Sequence, residues 1–199
     1  MRRIFAILGL SILLIVLTML TQVGGIAVMA GMAIGQSPVV RGLGPLHRRG
    51  VLVLAPLLIY GMMTAFLAPP LAASLGRVRL PCSTGGDGPV VVATWLTCAL
   101  NRGYVRPELR DLVLTLGTEM GRRFPGSRVT TLEGNFPFID GFPLFPHLSH
   151  RDGGKLDLAF FYRRTSDDAP IPNGSPSWLG YFIYEQPKRE EPQPCVGQS

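Results

Sequence analysis

Residues 4–23 read IFAILGLSILLIVLTMLTQV and residues 51–73 read VLVLAPLLIYGMMTAFLAPPLAA, and neither stretch contains a charged side chain. A helix needs about 20 apolar residues to cross the hydrocarbon core of a bilayer, and both stretches reach that length. The first runs on through GGIAVMAGMAIG, which extends or tilts it towards residue 34. Pro56 is tolerated inside a membrane helix, and Pro69-Pro70 is expected to end the second span near the interface. Residues 1–74 therefore read as a two-helix anchor, with spans at about 4–34 and 51–73. Arg2-Arg3 before an apolar run also imitates a secretory signal, and faintly a twin-arginine one. A signal's apolar core stops at about 15 residues, whereas the uncharged run here extends over residues 4–40, so a retained anchor is expected.

The charge pattern agrees. The 199 residues are 47% hydrophobic and only 16% charged, against about 25% in ordinary soluble domains. Of the net +6, Arg2, Arg3, Arg41, Arg48 and Arg49 supply +5 within residues 1–73, where no acidic residue occurs; the rest of the chain is nearly neutral. Nucleic-acid binding calls for basic clusters on the folded part, so no nucleic-acid partner is expected, and the partner of the N-terminal region is the lipid bilayer. Two spans put the N-terminus and the C-terminal domain on one side and the loop 35–50 on the other. Arg41, Arg48 and Arg49 then oppose Arg2, Arg3, Arg77 and Arg79, and the positive-inside comparison is close to a tie.

Three cysteines occur, Cys82, Cys98 and Cys195, without the short paired spacing of a zinc knuckle or a CxxC redox motif. A Cys82–Cys98 disulfide suits an extracytoplasmic compartment; two reduced, small hydrophobic side chains fit the sequence equally well. Residues 75–185 are long enough for one modest core. Their best helix is 106–123, with Leu109, Leu112, Val113, Leu116 and Met120 at helical spacing, Pro107 in its first turn and Pro125-Gly126 beyond its end. Short strands are expected at 128–132, 156–162 and 178–184. Together these give an α+β fold: two N-terminal transmembrane helices, then a small antiparallel-sheet domain with a packed helix. The tail 186–199 is polar and proline-containing, with no fixed structure expected. The sequon Asn173-Gly174-Ser175 carries no functional claim.

His47 lies in the basic loop between the spans, as a polar flank. The other two histidines stand together in Pro146-His147-Leu148-Ser149-His150-Arg151-Asp152-Gly153-Gly154-Lys155-Leu156-Asp157. Fully extended chain would separate His150 from Asp157 by about 23 Å, so they share a metal only if the chain reverses between them. Gly153-Gly154 is a two-residue turn signal. A hairpin closed there pairs Asp152 with Lys155, Arg151 with Leu156 and His150 with Asp157, and opposed residues have Cβ atoms about 5 Å apart on one face. Imidazole nitrogen and carboxylate oxygen are both good zinc ligands. A surface hairpin with two incidental histidines satisfies the same spacing.

The stretch resembles the metal-binding signature of the LAS group of zinc peptidases, which includes D-Ala-D-Ala dipeptidases and carboxypeptidases and the penicillin-insensitive murein endopeptidases. His147, Ser149, His150, Gly153 and Asp157 match the endopeptidase form H-x-S-H-x2-G-x3-D, whereas Lys155 stands where the shorter form S-x-H-x2-G-x-A-x-D has Ala. More widely, residues 134–162 behind two hydrophobic segments resemble a group of uncharacterised bacterial membrane proteins related to those peptidases. The resemblance implies that His150 and Asp157 hold Zn2+, that His147 and Ser149 lie beside them, and that activated water attacks a peptide carbonyl of murein. It also implies an inner-membrane protein with its C-terminal domain in the periplasm.

The family draws its third zinc ligand and general base from a later histidine-containing segment, and no histidine follows His150. Three explanations stand open: an incomplete chain, which is the favoured expectation and fits the odd Cys195; substitution by Glu185 or Cys195; or a catalytically inactive module that binds wall peptides or a partner protein. Phe136, Phe138, Phe142 and Phe145 precede the motif, either lining a groove or packing on the core.

Overall fold

The chain is described by a computed structural model over residues 1–85, 87–164 and 166–171. The first apolar stretch forms α1 (Arg2–Thr21) but does not run straight on to residue 34. At Gln22 the backbone enters the left-handed region, with φ 64°, and the buried Thr21 hydroxyl accepts the Gly24 N–H at 2.8 Å. The chain there folds back into α2 (Gly24–Gly35). Glycines permit the close return: a methyl on Gly25 would come within 2.9 Å of the Leu14 carbonyl oxygen in α1. On its other side α2 meets α4 (Pro45–Met62), where a methyl on Gly31 would come within 2.7 Å of the Pro56 nitrogen, and Gly35 faces Leu52. The descending partner numbers show that α2 runs antiparallel to both neighbours. A single turn, α3 (Pro38–Arg41), capped by the Ser37 side chain, joins α2 to α4.

The second apolar helix is continuous from Pro45 to Ser74. The expectation that Pro69-Pro70 ends it is not met, and the reason is a change of hydrogen-bond pattern. Proline offers no N–H, and its ring collides with the carbonyl four residues earlier. A π-helical segment, Met63–Leu67, precedes the prolines, with the Ala68 N–H reaching back to the Met63 carbonyl. The widened turn lets α5 (Ala68–Ser74) follow without a break. Arg3–Thr21 and Pro45–Ser74 are long and apolar enough to cross a membrane, and only 6% and 11% of their most apolar windows are buried. Ile4, Phe5, Leu57, Leu58 and Phe66 are all more than half exposed. A core helix would bury such side chains, and lipid is the solvent that tolerates them.

Both long helices run towards the domain. Asn101 donates through Nδ2 to the Thr21 carbonyl at 3.4 Å and to the Thr64 hydroxyl at 3.2 Å. The Phe138 N–H donates to Gln22 Oε1 at 3.0 Å, and Ala68 and Ala72 are buried against Tyr104. Because α1 and α4 point the same way, the chain's N-terminus and the turn into α4 share the end away from the domain. The expected arrangement, with the N-terminus on the domain's side, is thereby corrected, and the reversal at Gln22 is the cause.

In the domain, β1 (Val78–Arg79) pairs antiparallel with β3 (Tyr104–Val105), while β2 (Val90–Val92) pairs in parallel with β4 (Val129–Thr131). The parallel pair departs from the antiparallel expectation. Between β3 and β4 the chain runs through α7 (Pro107–Arg123), about 25 Å of helix that carries it back to the start of β2. Val113 of α7 packs on Val90 and Val129, flanked by Leu109, Leu114 and Leu156. Burying each valine is worth about 1.5–3 kcal/mol. The face turned inward is Leu109, Val113 and Gly117; Leu112 is 63% exposed and Leu116 38%, so they lie outside the core stripe expected of them. A short helix, α6 (Trp95–Ala99), capped by the Thr94 side chain, precedes β3, and Cys82 and Cys98 are joined in a disulfide. Residues 156–162 form a single isolated bridge, Leu158 with Thr131, not a strand. The strand expected at 178–184 and the tail 186–199 lie outside the described residues.

Candidate metal centre

His150 and Asp157 meet, but not through a hairpin. None of the backbone hydrogen bonds expected between residues 150–152 and 155–157 forms; the first side bonds His147, Ser149 and Gly141 through its backbone, and the second bonds residues 132–133. The Asp157 N–H donates to the Glu133 carbonyl at 2.8 Å, Leu132 donates to the Asp157 carbonyl at 2.9 Å, and Ala159 donates to the Thr130 carbonyl at 2.9 Å. His150 is seated on the same stretch, its Nδ1 2.7 Å from the Gly134 carbonyl oxygen. The connecting loop is held by Asn135, which is fully buried. Its Oδ1 accepts the Gly153 N–H at 3.1 Å and its Nδ2 donates to the Lys155 carbonyl at 2.7 Å. Gly153 is needed for its own conformation, φ 76°, and for the space taken by Arg106 and Arg77, 3.1–3.4 Å from where a Cβ would lie. Gly154 donates to the Asp152 carboxylate at 2.9 Å, which holds that carboxyl below its ordinary range.

A carbonyl oxygen only accepts, so His150 Nδ1 donates there, and Nε2 is the ring nitrogen turned towards the cluster. That Nε2 faces Asp157 Oδ1 at 3.1 Å. A lone pair and a carboxylate oxygen repel unless a cation, either a proton or a metal ion, lies between them. His147 completes the cluster, with Nδ1 2.5 Å from Asp157 Oδ2 and its ring 5.4 Å from that of His150 at 89°. Donor atoms of His147, His150 and Asp157 all lie within 4.8 Å of one another. Ligands of a tetrahedral zinc at about 2.0–2.2 Å stand about 3.4 Å apart, so the two short His–Asp contacts would open by less than about 1 Å, and a pair at the 4.8 Å limit would close by about 1.4 Å, to admit an ion. The buried backbone contact behind His150 is the kind that orients a metal-bound imidazole. The residues present fit a metal ion, and His147 is as well placed as the two ligands expected from sequence. Ser149 is exposed, and its carbonyl accepts from Lys155 Nζ at 3.0 Å.

Behind the cluster, Glu133 pairs with Arg102 at 3.0 Å, and Arg102 also donates to the Phe145 carbonyl. Burial pushes the Glu133 carboxyl above the ordinary carboxylate range, against the pull of Arg102. Arg77, itself buried, bonds the Phe136 carbonyl and Asp140. Neither arginine carries a sequence signal that separates it from a surface cation, and both were missed, as was Asn135. In front of the cluster lies an open groove of about 750 Å³, whose lining includes His147, Ser149, His150 and Asp157 and, on its apolar side, Leu158 and Phe160. The four phenylalanines divide. Phe136 is buried with Phe142 edge-on against it, Phe138 packs on the cluster of Ala68, Ala72 and Tyr104, and only Phe145 is more than half exposed. Comparison of the chain with family models, with curated proteins and with solved structures gives no match in any of the three.

Proposed function

We propose that this chain is a membrane-anchored, zinc-dependent peptidase-like protein acting on cell-wall (murein) peptides, with its domain on the extracytoplasmic face of the inner membrane. The observation that carries this reading is the convergence of His147, His150 and Asp157 donors at the floor of an open groove. The resemblance of residues 147–157 to the murein endopeptidase signature supports the peptide substrate, and the Cys82–Cys98 disulfide supports an oxidising compartment. When bound, zinc polarises a carbonyl and activates water. The chain supplies the rest. Gly134 fixes the His150 ring, Glu133 and Leu132 fix the backbone of Asp157, and Leu158 and Phe160 give the groove an apolar side. One observation favours a second reading, a catalytically inactive module that binds wall peptides or a partner protein: Glu133, the carboxylate beside the cluster, is engaged by Arg102.

The test is metal content followed by cleavage. The full chain, purified in detergent, is expected to carry about one zinc per chain, and His147→Ala, His150→Ala or Asp157→Asn each to lose it. Had His147 only a supporting role, its alanine variant would bind zinc about 10–100-fold more weakly yet still fill at saturation. A wild-type chain that takes up no zinc sinks the metal reading. Chelator-sensitive release of murein peptides, followed by mass spectrometry, supports the enzyme; full zinc occupancy without release supports the binding module.

A further inference from the structure

The domain has no slack between itself and its anchor. After α5 the chain turns at once: the Arg77 N–H donates to the Ala72 carbonyl at 2.9 Å, and β1 begins at Val78. Arg77 is buried and bonded across to residues 136, 140 and 151. Asn101 joins the end of α1 at Thr21 to Thr64, in the π-helical segment of the second long helix, while the adjacent Arg102 grips Glu133 and Phe145 behind the metal cluster. Gly134, which seats His150, stands four residues before Phe138, which is bonded to Gln22 at the α1–α2 turn. Four residues span at most about 13 Å. The interfacial layer of a bilayer is about 5–7 Å thick on each face, so the groove stands at or just above the headgroups.

The surface at this level is apolar. The Tyr60 hydroxyl, within the second span, donates to the Ala99 carbonyl at the end of α6, which places α6 at the membrane mouth with Trp95 64% exposed. Tyrosine and tryptophan are the residues that favour this layer. Ile139, next to the Gln22-bound Phe138, is 55% exposed; Phe145 is 57% exposed and Leu148, beside His147, is 53% exposed. Large exposed apolar side chains call for a cover, and Ile139 adjoins the residue bonded to the α1–α2 turn.

We infer that Trp95, Ile139, Phe145 and Leu148 form a lipid-contacting rim, seated in the interfacial layer of the bilayer, which confines the groove to ligands held at the membrane surface. The inference takes its functional meaning from the metal-site reading above, but its test does not depend on it. Nitroxide labels are placed on Ile139→Cys and Leu148→Cys, with Asp111→Cys on α7 as control, in the Cys195→Ser full chain. The chains are reconstituted in phosphatidylcholine–phosphatidylglycerol vesicles, and collision with oxygen is compared with collision with a water-soluble nickel chelate. Labels at 139 and 148 are expected to favour oxygen several-fold more than the label at 111. Equal ratios at all three positions overturn the lipid-contacting rim. Zinc content of the same labelled chains is measured alongside. Retained zinc with equal ratios leaves the metal site standing and removes only the membrane contact, whereas oxygen-favouring labels on a zinc-free chain do the reverse.

Discussion

Asn135 is the residue on which the site's geometry turns, although it is not itself a candidate ligand. Its amide joins Gly153 and Lys155, one on each side of the loop between His150 and Asp157, to a backbone already paired with Tyr104. Removing the amide leaves a buried N–H at Gly153 without its acceptor, while Lys155 is exposed and its carbonyl can turn to water. An unsatisfied buried backbone group costs about 1–3 kcal/mol, so Asn135→Ala is expected to destabilise the domain by about that amount. It is also expected to weaken zinc binding by about 10–100-fold, as loss of a supporting contact does elsewhere. Chemical denaturation of the full chain in detergent, with zinc titration of the same sample, checks both numbers. Ser149→Ala, at an exposed position whose contacts are made by its backbone, is the matched control. Equal effects from the two variants would show that the loop is not held by Asn135.

At the scale of elements, the apolar helices are held by small residues where they cross and are free of such constraint on their outward faces. Gly31 touches Pro56, whereas a Cβ on Gly9 of α1 would meet nothing within 4 Å. Gly31→Leu is therefore expected to overpack the α2–α4 contact and cost about 1–3 kcal/mol. Gly9→Leu should cost nothing and gain slightly from helix propensity. Unfolding of the full chain in mixed micelles with rising dodecyl sulfate distinguishes them, and identical midpoints would refute the packing. The same contrast explains what the sequence made legible. Hydropathy marks which stretches meet lipid, and spacing marks α7, because both are local properties. Hydropathy is blind to direction, so an uncharged run with Gly24-Gly25 inside it reads as one tilted helix as readily as two antiparallel ones. The prolines at 69–70 signal a break, but the π turn before them is a tertiary solution. The two histidines stand together for a local reason too, since the His150 N–H bonds the His147 carbonyl at 3.0 Å in a single turn. The path joining His150 to Asp157 passes through residues 130–135, a pairing too distant in sequence for turn chemistry to reveal, and so a hairpin was the wrong construction for a correct juxtaposition.

At the scale of the whole molecule, the reversal at Gln22 changes what the arginines mean. With two simple spans they divide between both faces and decide nothing. With α1 and α4 both pointing at the domain, Arg2, Arg3, Arg48 and Arg49 stand at the opposite end, and α3, carrying Arg41, packs with α2 and α4 in the same region. Arg77 and Arg79 remain on the domain side, where each is tied to a backbone carbonyl of the domain. Arginines flanking apolar helices stay in the cytoplasm, so the N-terminus and Gly44 are expected inside and the domain outside, which agrees with its disulfide. An N-terminal epitope tag, together with Gly44→Cys and Asp111→Cys in the Cys195→Ser chain, tests this on spheroplasts with a membrane-impermeant maleimide. Asp111→Cys should label on intact spheroplasts, and Gly44→Cys and the tag should become accessible only after lysis. A tag exposed on the same face as Asp111→Cys would mean that α1 and α2 cross as one helix in the bilayer, and the returning hairpin would then be wrong. Labelling of Gly44→Cys from outside, with Asp111→Cys protected, would place the domain in the cytoplasm and remove murein from its reach.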